Sequence, residues 1–268
     1  MTTSTVQRTA QPDTAPAPSR LTRELDVPAL LLRDPCQLEI LIPARNEAQR
    51  LPHTLMRTAQ YLEKQLYSSS IVVIDNASFD HTADLASKTW SERVPVHLTG
   101  CASPGKGAAV RRGILTSRAR FVGYMDADLA TPIETLDVVV PLLAGDYQAV
   151  VASRRINGAI LAKRQPPVRA FGGMVFRTMA RRVMRDLTDT QCGFKFFAGD
   201  LARTIARNLT IDGFAFDVEM LRMISDMGVE IKEIPVVWTD IKGSTLRSLR
   251  DGARAACDLY RLSRRRPG

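Results

Sequence analysis

The sequence lacks the features that mark membrane-spanning, secreted or metal-stabilised proteins. No apolar run approaches the ~18 residues that a membrane-spanning helix needs, and the amino terminus has no apolar signal core. The four cysteines lie far apart without paired ligand spacing, so neither a zinc site nor a disulfide framework is expected; they are Cys36, Cys101, Cys192 and Cys257. These absences together predict a cytoplasmic protein.

Acidic residues are scarce in two segments of a chain that is basic overall. Lys and Arg number 37 against 28 Asp and Glu, which gives a formal net charge of +9. Residues 154–185 contain nine Lys or Arg and no acidic residue, and residues 247–268 contain seven Arg against two Asp. Local positive charge favours anionic partners such as phosphates, nucleotides or an anionic membrane. A solvated basic surface is the alternative.

The chain divides into a leader, one domain and a basic tail. Residues 1–34 are rich in Pro, Thr and Ala, a composition typical of a disordered leader. No linker divides residues 35–245, and a chain with 45% apolar residues can bury a sizeable core, so we expect a single domain there. Residues 246–268 predict a basic amphipathic helix and tail.

Short apolar segments alternate with helical patterns along the first half of the chain. Leu38–Pro43, Ile71–Asp75 and Phe121–Met125 have the composition of buried parallel strands. Asn46 is placed to cap the helix that follows the first strand. The alternation predicts an α/β fold with a mostly parallel, Rossmann-like sheet that carries helices on both faces.

A pair of carboxylates, Asp126 and Asp128, follows the apolar strand FVGYM. Ligands of open α/β sheets bind at the carboxyl ends of the strands, and residues two apart in an extended chain share a face. Two convergent carboxylates repel each other unless a cation joins them, and hard oxygen ligands suit Mg²⁺ or Mn²⁺. The sequence therefore predicts a divalent metal held by Asp126 and Asp128 next to a diphosphate; a solvated acidic turn is the alternative.

Three further charged residues are placed for nucleotide contacts. Asp75 closes the second strand and can accept hydrogen bonds from a base or ribose, or cap a helix. Lys106 lies between two glycines that allow close backbone approach to a ligand, although the P-loop spacing is missing. Arg154 follows the strand AVVAS, where a guanidinium can bind phosphate or remain solvated.

Two carboxylates lie among apolar or aromatic neighbours in the second half of the chain. They are Asp189, in TDTQCGFKFF, and Asp217, in GFAFDVEML. Burial raises the pKa of a carboxylate, which suits a general base. A role as a capping carboxylate is the alternative for each of them.

Taken in order, the motifs resemble those of family 2 glycosyltransferases with the GT-A fold. The stretches run from about residue 38 to residue 245 and are LIPARNEAQRL, VVIDNASFDHTADLA, GKGAAVRRGI, YMDADLATP, VVASRR, TDTQCGFKFF and GFAFDVEML. TQCGFK and FDVE look most like the dolichyl- and polyprenyl-phosphate glucosyltransferases, with the corresponding mannosyltransferases next. Asn76 departs from the pattern, because many relatives have a second aspartate there, and Thr245 stands where lipid-phosphate relatives often have lysine.

The resemblance implies a role for each matching position. Pro43, Arg45 and Glu47 fall in the motif that holds the base and ribose, and Asp75 is expected to contact the base. Lys106 matches a lysine near the nucleotide. The remaining positions match the metal and diphosphate motif and a phosphate-binding arginine; they are Asp126, Ala127, Asp128 and Arg154. Asp217 is the first candidate for the base that deprotonates the acceptor, and Asp189 the second.

The resemblance implies an inverting, metal-dependent transfer of a sugar from a nucleotide-sugar donor. A donor like UDP-glucose is expected first and GDP-mannose next. The expected acceptor is a polyprenyl phosphate, reached from the inner face of the plasma membrane through peripheral contact with anionic lipid. A soluble small-molecule acceptor is the alternative. We expect no nucleic-acid partner, because nucleic-acid binding would explain the charge but not the carboxylate pair.

Overall fold

The computed structural model of the protein describes residues 36–89, 91–161, 167–239 and 248–264. The expected leader and Thr245 lie outside these residues. The described strands are β1 Leu38–Ala44, β2 Ser69–Asp75, β3 Val96–Gly100, β4 Phe121–Met125, β5 Ala149–Ser153, β6 Ile160–Leu161, β7 Phe194–Ala198, β8 Ile231–Pro235 and β9 Val237–Trp238. The described helices are α1 Leu51–Leu62, α2 Thr82–Lys88, α3 Lys106–Thr116, α4 Leu136–Ala144, α5 Pro167–Val183, α6 Gly199–Asn208, α7 Phe216–Asp226 and α8 Ser248–Arg264.

Seven strands form one sheet in the order β3-β2-β1-β4-β7-β5-β8, and β6 and β9 form a separate two-stranded ribbon. Every neighbouring pair in the sheet is parallel except the two pairs made by β7, which runs antiparallel to both β4 and β5. The predicted α/β fold with a mostly parallel sheet is therefore confirmed. The antiparallel strand between β4 and β5 is not visible in the hydrophobic pattern, because FKFFA has the same apolar composition as its neighbours.

Helices cover both faces of the sheet, as predicted. One apolar core lies beneath α1, α2 and α4, and a second lies beneath α3, α5, α6, α7 and α8. The central strands are buried on both faces, and for that reason their sequences are continuously apolar rather than alternating. Parallel pairing aligns the carboxyl ends of β1, β2 and β4 at one edge, with Ala44 opposite Asp75. Because β7 is antiparallel to both β4 and β5, the carboxyl end of β5 lies at the same edge.

One local expectation was wrong, and one helix was not predicted. Asn46 does not cap α1, which begins at Leu51 after Arg50 without a side-chain cap. Instead Asn46 adopts a positive φ of 56°, and its Oδ1 accepts a hydrogen bond from the backbone N–H of Phe79, 3.0 Å away. The amide therefore ties the β1–α1 loop to the loop after β2. Helix α6 was not anticipated.

The carboxyl-terminal helix α8 is amphipathic and packs against the body of the protein. Ala255, Leu259 and Leu262 are buried in the same core as α5. Arg254, Arg261 and Arg264 are exposed, so these three basic side chains face away from the core.

Candidate active site

The strand ends bring most of the predicted donor-site residues to one edge of the sheet. Asp75 ends β2, Asp126 follows β4 and Arg154 follows β5. Pro43 lies at the end of β1, with Arg45 exposed just beyond it. The α/β topology itself therefore gathers residues that are far apart in the chain.

Asp126 is held against Gly193, the residue immediately before the antiparallel strand β7. Its backbone N–H donates to the carbonyl oxygen of Gly193 at 3.1 Å, and a Cβ at Gly193 would lie 2.0 Å from Oδ2 of Asp126. The side chain of Asp126 remains 44% exposed. Gly193 thus leaves room for a carboxylate that faces solvent at the strand end.

The second carboxylate, Asp128, is more enclosed. Its Oδ1 accepts from the backbone N–H of Ala130 at 3.0 Å. Burial, and after it the negative charge of Asp126, raises the pKa of Asp128. Between the two, Ala127 is buried, and its carbonyl oxygen accepts a 2.7 Å hydrogen bond from Thr54 on α1, so the motif is fixed to the adjacent helix.

Glu47 adds negative charge to the same region and is held by Arg50, which sequence reasoning missed. The Nε and NH2 atoms of Arg50 each lie 2.7 Å from a Glu47 carboxylate oxygen. Burial raises the pKa of Glu47, and the charges of Asp128 and Asp126 act in the same direction, while Arg50 opposes them. Arg50 could have been found from its position three residues after Glu47, at the start of α1.

Lys106 is the direct counter-charge of Asp126. Its Nζ lies 2.5 Å from Oδ1 of Asp126. Burial lowers the pKa of Lys106, but the carboxylates of Asp126 and Asp217 outweigh burial and raise it overall. The ammonium therefore stays charged and stands between the strand end of β4 and the start of α7.

The glycine loop that carries Lys106 is fixed on two sides. Gly105 has a φ of 127°, and a Cβ there would lie 2.1 Å from the carbonyl oxygen of Asp212. On the other side, Oδ1 of Asn76 accepts from the Gly105 N–H at 2.7 Å, and Nδ2 of Asn76 donates to the carbonyl oxygens of Ser103 at 2.7 Å and Cys101 at 3.3 Å. Asn76 is buried and uses both halves of its amide.

Asp75 presents a buried, unsatisfied oxygen at the end of β2. Oδ2 accepts a long hydrogen bond of 3.4 Å from the backbone N–H of Ser78. Oδ1 has no hydrogen-bond partner among the residues that the structure describes. A buried acceptor without a partner is costly, which makes Oδ1 a suitable partner for an N–H of a bound base.

The structure joins Arg154 to Asp189. The guanidinium makes a bidentate contact, with Nε 2.6 Å from Oδ2 and NH2 2.9 Å from Oδ1, and the Arg154 backbone N–H also donates to Oδ2. Burial raises the pKa of Asp189, but the hydrogen bonds from Arg154 outweigh burial and lower it to about 2. Asp189 is 1% exposed, so this geometry favours a role in orienting Arg154 over a role as a proton acceptor.

Asp217 is likewise buried and paired. Its Oδ1 accepts from Lys195 Nζ at 2.6 Å and from the hydroxyl of Tyr124. Lys195 has no exposed side-chain surface, and its Nζ also donates to the carbonyl oxygen of Cys192 at 2.6 Å. The ion pair links α7, β7 and β4 beneath the carboxylate pair, and Lys195 was not anticipated because FKFFA gives no sign that its lysine is buried.

The site fits a divalent cation bound together with a diphosphate. Among the described residues there is no cluster of three or more metal-binding side chains, so the protein offers only the pair Asp126 and Asp128. Mg²⁺ is commonly bound by one or two carboxylates together with substrate phosphates. Burial, and after it the charge of Asp126, raises the pKa of Asp128, and a cation beside these two carboxylates would oppose both effects.

The fold and the paired carboxylates at the strand ends define a GT-A glycosyltransferase. Residues 39–201 match the model of the family described as Glycosyl transferase family 2, and the chain belongs to that family. A dolichyl-phosphate beta-glucosyltransferase of Dictyostelium discoideum is 32% identical over 85% of this chain and 74% of its own length. The Homo sapiens protein of the same name is also 32% identical, over 78% of this chain and 69% of its own.

Solved structures show the same fold at low sequence identity. A glucosyl-3-phosphoglycerate synthase from Mycobacterium tuberculosis, crystallised with Mn²⁺, UDP-glucose and phosphoglyceric acid, superposes with a TM-score of 0.61 at 16% identity. The match covers 85% of this chain and 78% of that one. Within the described residues, no helix is long and apolar enough to cross a membrane.

Proposed function

We propose that the protein is an inverting, metal-dependent glycosyltransferase that moves glucose from UDP-glucose to a polyprenyl phosphate. The names of the relatives support both the sugar and the lipid-phosphate acceptor. In the reaction, an oxygen of the acceptor phosphate forms a bond to the anomeric carbon from the face opposite the leaving group. The bond from that carbon to the donor diphosphate breaks, and the nucleoside diphosphate leaves with the electron pair. GDP-mannose is the second candidate donor.

The donor half of the proposal assigns roles along the strand ends. Pro43, Arg45 and Glu47 line the base and ribose region, and Oδ1 of Asp75 accepts from the base. The carboxylates of Asp126 and Asp128 hold Mg²⁺ or Mn²⁺, which neutralises the diphosphate when bound. Ala127 keeps these carboxylates in place through Thr54.

Lys106 and Arg154 complete the proposed diphosphate site with positive charge. Lys106 already compensates Asp126 at 2.5 Å, so a bound cation would release its ammonium towards the diphosphate. The Asp189 carboxylate fixes the plane of the Arg154 guanidinium, which leaves its remaining donors for phosphate. Fixed charges of this kind stabilise the leaving group without reorganisation during the reaction.

Besides the names of the relatives, one structural observation supports the acceptor assignment: both candidate bases are buried and held by cations. Asp217 is paired with Lys195 and Asp189 with Arg154. A hydroxyl acceptor needs a base within hydrogen-bond reach. A phosphate acceptor is already anionic at neutral pH, so positioning and charge neutralisation are enough. A base role for Asp217, or secondarily Asp189, stays a prediction for a hydroxyl acceptor such as a soluble small molecule.

Basic residues beside the proposed donor site suit an anionic acceptor. Arg155 is exposed directly after Arg154. Burial, and after it the positive charges of Arg155 and Arg154, lowers the pKa of Arg177 on α5, which indicates that these three cations share one region. Clustered guanidinium groups favour phosphate binding.

We also propose a cytoplasmic location with peripheral contact to anionic lipid at the inner face of the plasma membrane. The contact would use exposed arginines of α8, such as Arg254, Arg261 and Arg264. Basic residues near an anionic surface contribute on the order of 1 kcal/mol each. Co-sedimentation with anionic liposomes should fall at high salt and weaken when these three residues are changed to Gln; salt-independent binding would contradict it.

The proposed reaction is tested by crossing donors with acceptors. Purified protein is incubated with UDP-glucose or GDP-mannose, and with a polyprenyl phosphate or soluble alcohols, with Mn²⁺ or with excess EDTA. We expect glucosyl transfer to the polyprenyl phosphate that EDTA abolishes. Transfer only to soluble alcohols would contradict the acceptor, and transfer that is undiminished in EDTA would contradict the metal.

A further inference from the structure

The two-stranded ribbon is the most apolar exposed part of the described surface. Ile160, Leu161 and Val237 are 56%, 55% and 46% exposed, and they make up three of the four residues of β6 and β9. Ile160 pairs with Val237 and Leu161 with Trp238, so exposed apolar side chains stand on both faces. The other large exposed apolar residues are spread singly over loops and helices, as is normal for a protein surface.

The ribbon is attached directly to the proposed active site. The guanidinium carbon of Arg154 lies 5.4 Å from the centre of the Trp238 ring. The backbone N–H of Thr239, next after β9, donates to the carbonyl oxygen of Ala130 at 3.0 Å. The N–H of the same Ala130 is capped by Asp128. One hydrogen-bonded path therefore joins the end of the ribbon to the carboxylate pair.

Charge and apolar surface follow each other along the same stretch of chain. Arg154 and the exposed Arg155 come directly after β5, and the exposed Ile160 and Leu161 follow within seven residues of Arg154. A ligand that places a phosphate at the arginines can therefore reach the ribbon with an attached apolar chain. A soluble phosphate has no apolar group that could contact the ribbon. A prenyl phosphate has a phosphate for the arginines and an apolar tail for the ribbon.

We propose that the ribbon formed by β6 and β9 binds the isoprenoid chain of the acceptor where the chain leaves the active site. The inference rests on the proposed function and names the part of the protein that recognises the lipid. When the isoprenoid tail covers the apolar side chains of the ribbon, it gains affinity without directional contacts. The ribbon therefore favours acceptors with a long isoprenoid tail over acceptors with a short one. The exposed Arg155, beside the donor-diphosphate site, binds the headgroup, and the ribbon binds the tail.

The test compares acceptors of different length on a variant that removes only apolar surface. The triple variant Ile160→Thr, Leu161→Thr and Val237→Thr keeps residues that favour strands. The matched control changes three apolar residues of similar or greater exposure elsewhere, Leu66→Thr, Val138→Thr and Met227→Thr. For each protein, kcat/KM is measured with a short, water-soluble prenyl phosphate and with a long polyprenyl phosphate in the same detergent, and UDP binding is measured with Mn²⁺.

We expect the ratio of kcat/KM for the long acceptor to that for the short one to fall about tenfold in the ribbon variant. The control should keep the wild-type ratio, and UDP affinity should be the same in all three proteins. An unchanged ratio, or equal losses on both acceptors, would overturn the inference while leaving the proposed function in place. Failure of the wild type to use any prenyl phosphate would overturn the proposed function and the inference with it.

Two other ligands for the ribbon, a bilayer and a second copy of the protein, would each give a different result in the same variant. Loss of liposome binding without acceptor, at an unchanged length ratio, would assign the ribbon to the bilayer. A fall in oligomeric mass would assign it to a second copy of the chain, and either result overturns the inference. If the triple variant does not fold, the nearly isosteric Val237→Thr alone should still lower the ratio, by less than the triple variant.

Discussion

The proposed donor and acceptor halves of the site differ in how far their charged side chains are exposed and paired. The donor half, built on β1, β2 and β4, keeps its charged groups at the surface edge, where Asp126 is 44% exposed and Oδ1 of Asp75 has no partner among the described residues. The acceptor half, built on β5, β7 and β8, buries its charges in pairs. In the proposed roles, the metal- and base-binding carboxylates keep exposed surface or an unsatisfied oxygen, whereas Asp189 and Asp217 are buried against a cation.

The largest effect should come from removing a donor-half carboxylate. Asp128→Ala should lower sugar transfer more than about 10³-fold, because a cation on the diphosphate supplies several kcal/mol of stabilisation. The fold should remain intact, because the only hydrogen bond described for the Asp128 side chain is the one it accepts from the Ala130 N–H. Steady-state kinetics and thermal unfolding check this, with the exposed Asp146→Ala as control. Full activity in Asp128→Ala would contradict the metal site.

In the acceptor half, the corresponding loss should appear in stability. Asp217→Ala leaves the fully buried Lys195 without its ion-pair partner, which should cost about 3–5 kcal/mol in the free energy of unfolding. Urea denaturation measures it, and Asp200→Ala, which breaks the exposed pair with Arg203, should cost less than ~1 kcal/mol. Equal costs for the two would show that the buried pair has no special role in the acceptor half.

Asp217→Asn then separates the fold from catalysis. The amide oxygen can still accept from Lys195 and Tyr124, so the variant is the milder change. With a hydroxyl acceptor, loss of a base should lower kcat by ~10²-fold or more. With a polyprenyl phosphate, we expect a much smaller effect, and a small effect also for Asp189→Asn. A large loss at either position with the phosphate acceptor would reinstate that residue as the base.

The pair formed by Asp189 and Arg154 should make stability depend on pH. The folded-state pKa of Asp189, about 2, lies below the usual ~3.9 of the unfolded chain, so its contribution is complete above about pH 4 and is lost as pH falls towards 2. That contribution is about 2–3 kcal/mol. Unfolding free energies of wild type and Asp189→Asn should therefore converge as pH falls through this window. The exposed Asp186→Asn is the control, and a constant difference would contradict the assignment.

The smallest predicted effect concerns the amide of Asn76 beneath the donor half. In Asn76→Asp an ionised carboxylate can still accept from Gly105 but cannot donate to the carbonyls of Cys101 and Ser103. Losing two such hydrogen bonds should weaken UDP binding about tenfold. Lowering the pH restores a donor by protonating the carboxyl group, so affinity relative to wild type should recover. Calorimetric titration across pH checks this, with the exposed Asn208→Asp as control; a pH-independent loss would contradict it.

The sequence predicted which residues lie at the strand ends, but it did not predict which strands pair with each other or which side chains this pairing brings into contact. FVGYM followed by Asp126 and Asp128 predicts a buried strand with carboxylates at its carboxyl end, because local composition determines both. The insertion of β7 between β4 and β5 depends on non-local pairing, so neither the contact of Gly193 with Asp126 nor the burial of Lys195 is visible locally. Asn46 shows the same limit, since its side chain binds the Phe79 N–H rather than the helix that follows it.

The strand order also has a consequence for how the chain folds. Strands β1 to β4 are neighbours of one another in the sheet, and their only other partner is β7, which pairs with β4. The donor half of the sheet can therefore form from the first half of the chain, before β7 is synthesised. By contrast, β5 pairs only with β7 and β8, both of which follow it in sequence. During synthesis from the amino terminus, β5 therefore waits for more than forty residues (from Ser153 to Phe194) before it gains its first partner. An exposed, mostly apolar AVVAS strand without a partner during that interval would make the nascent chain prone to aggregation.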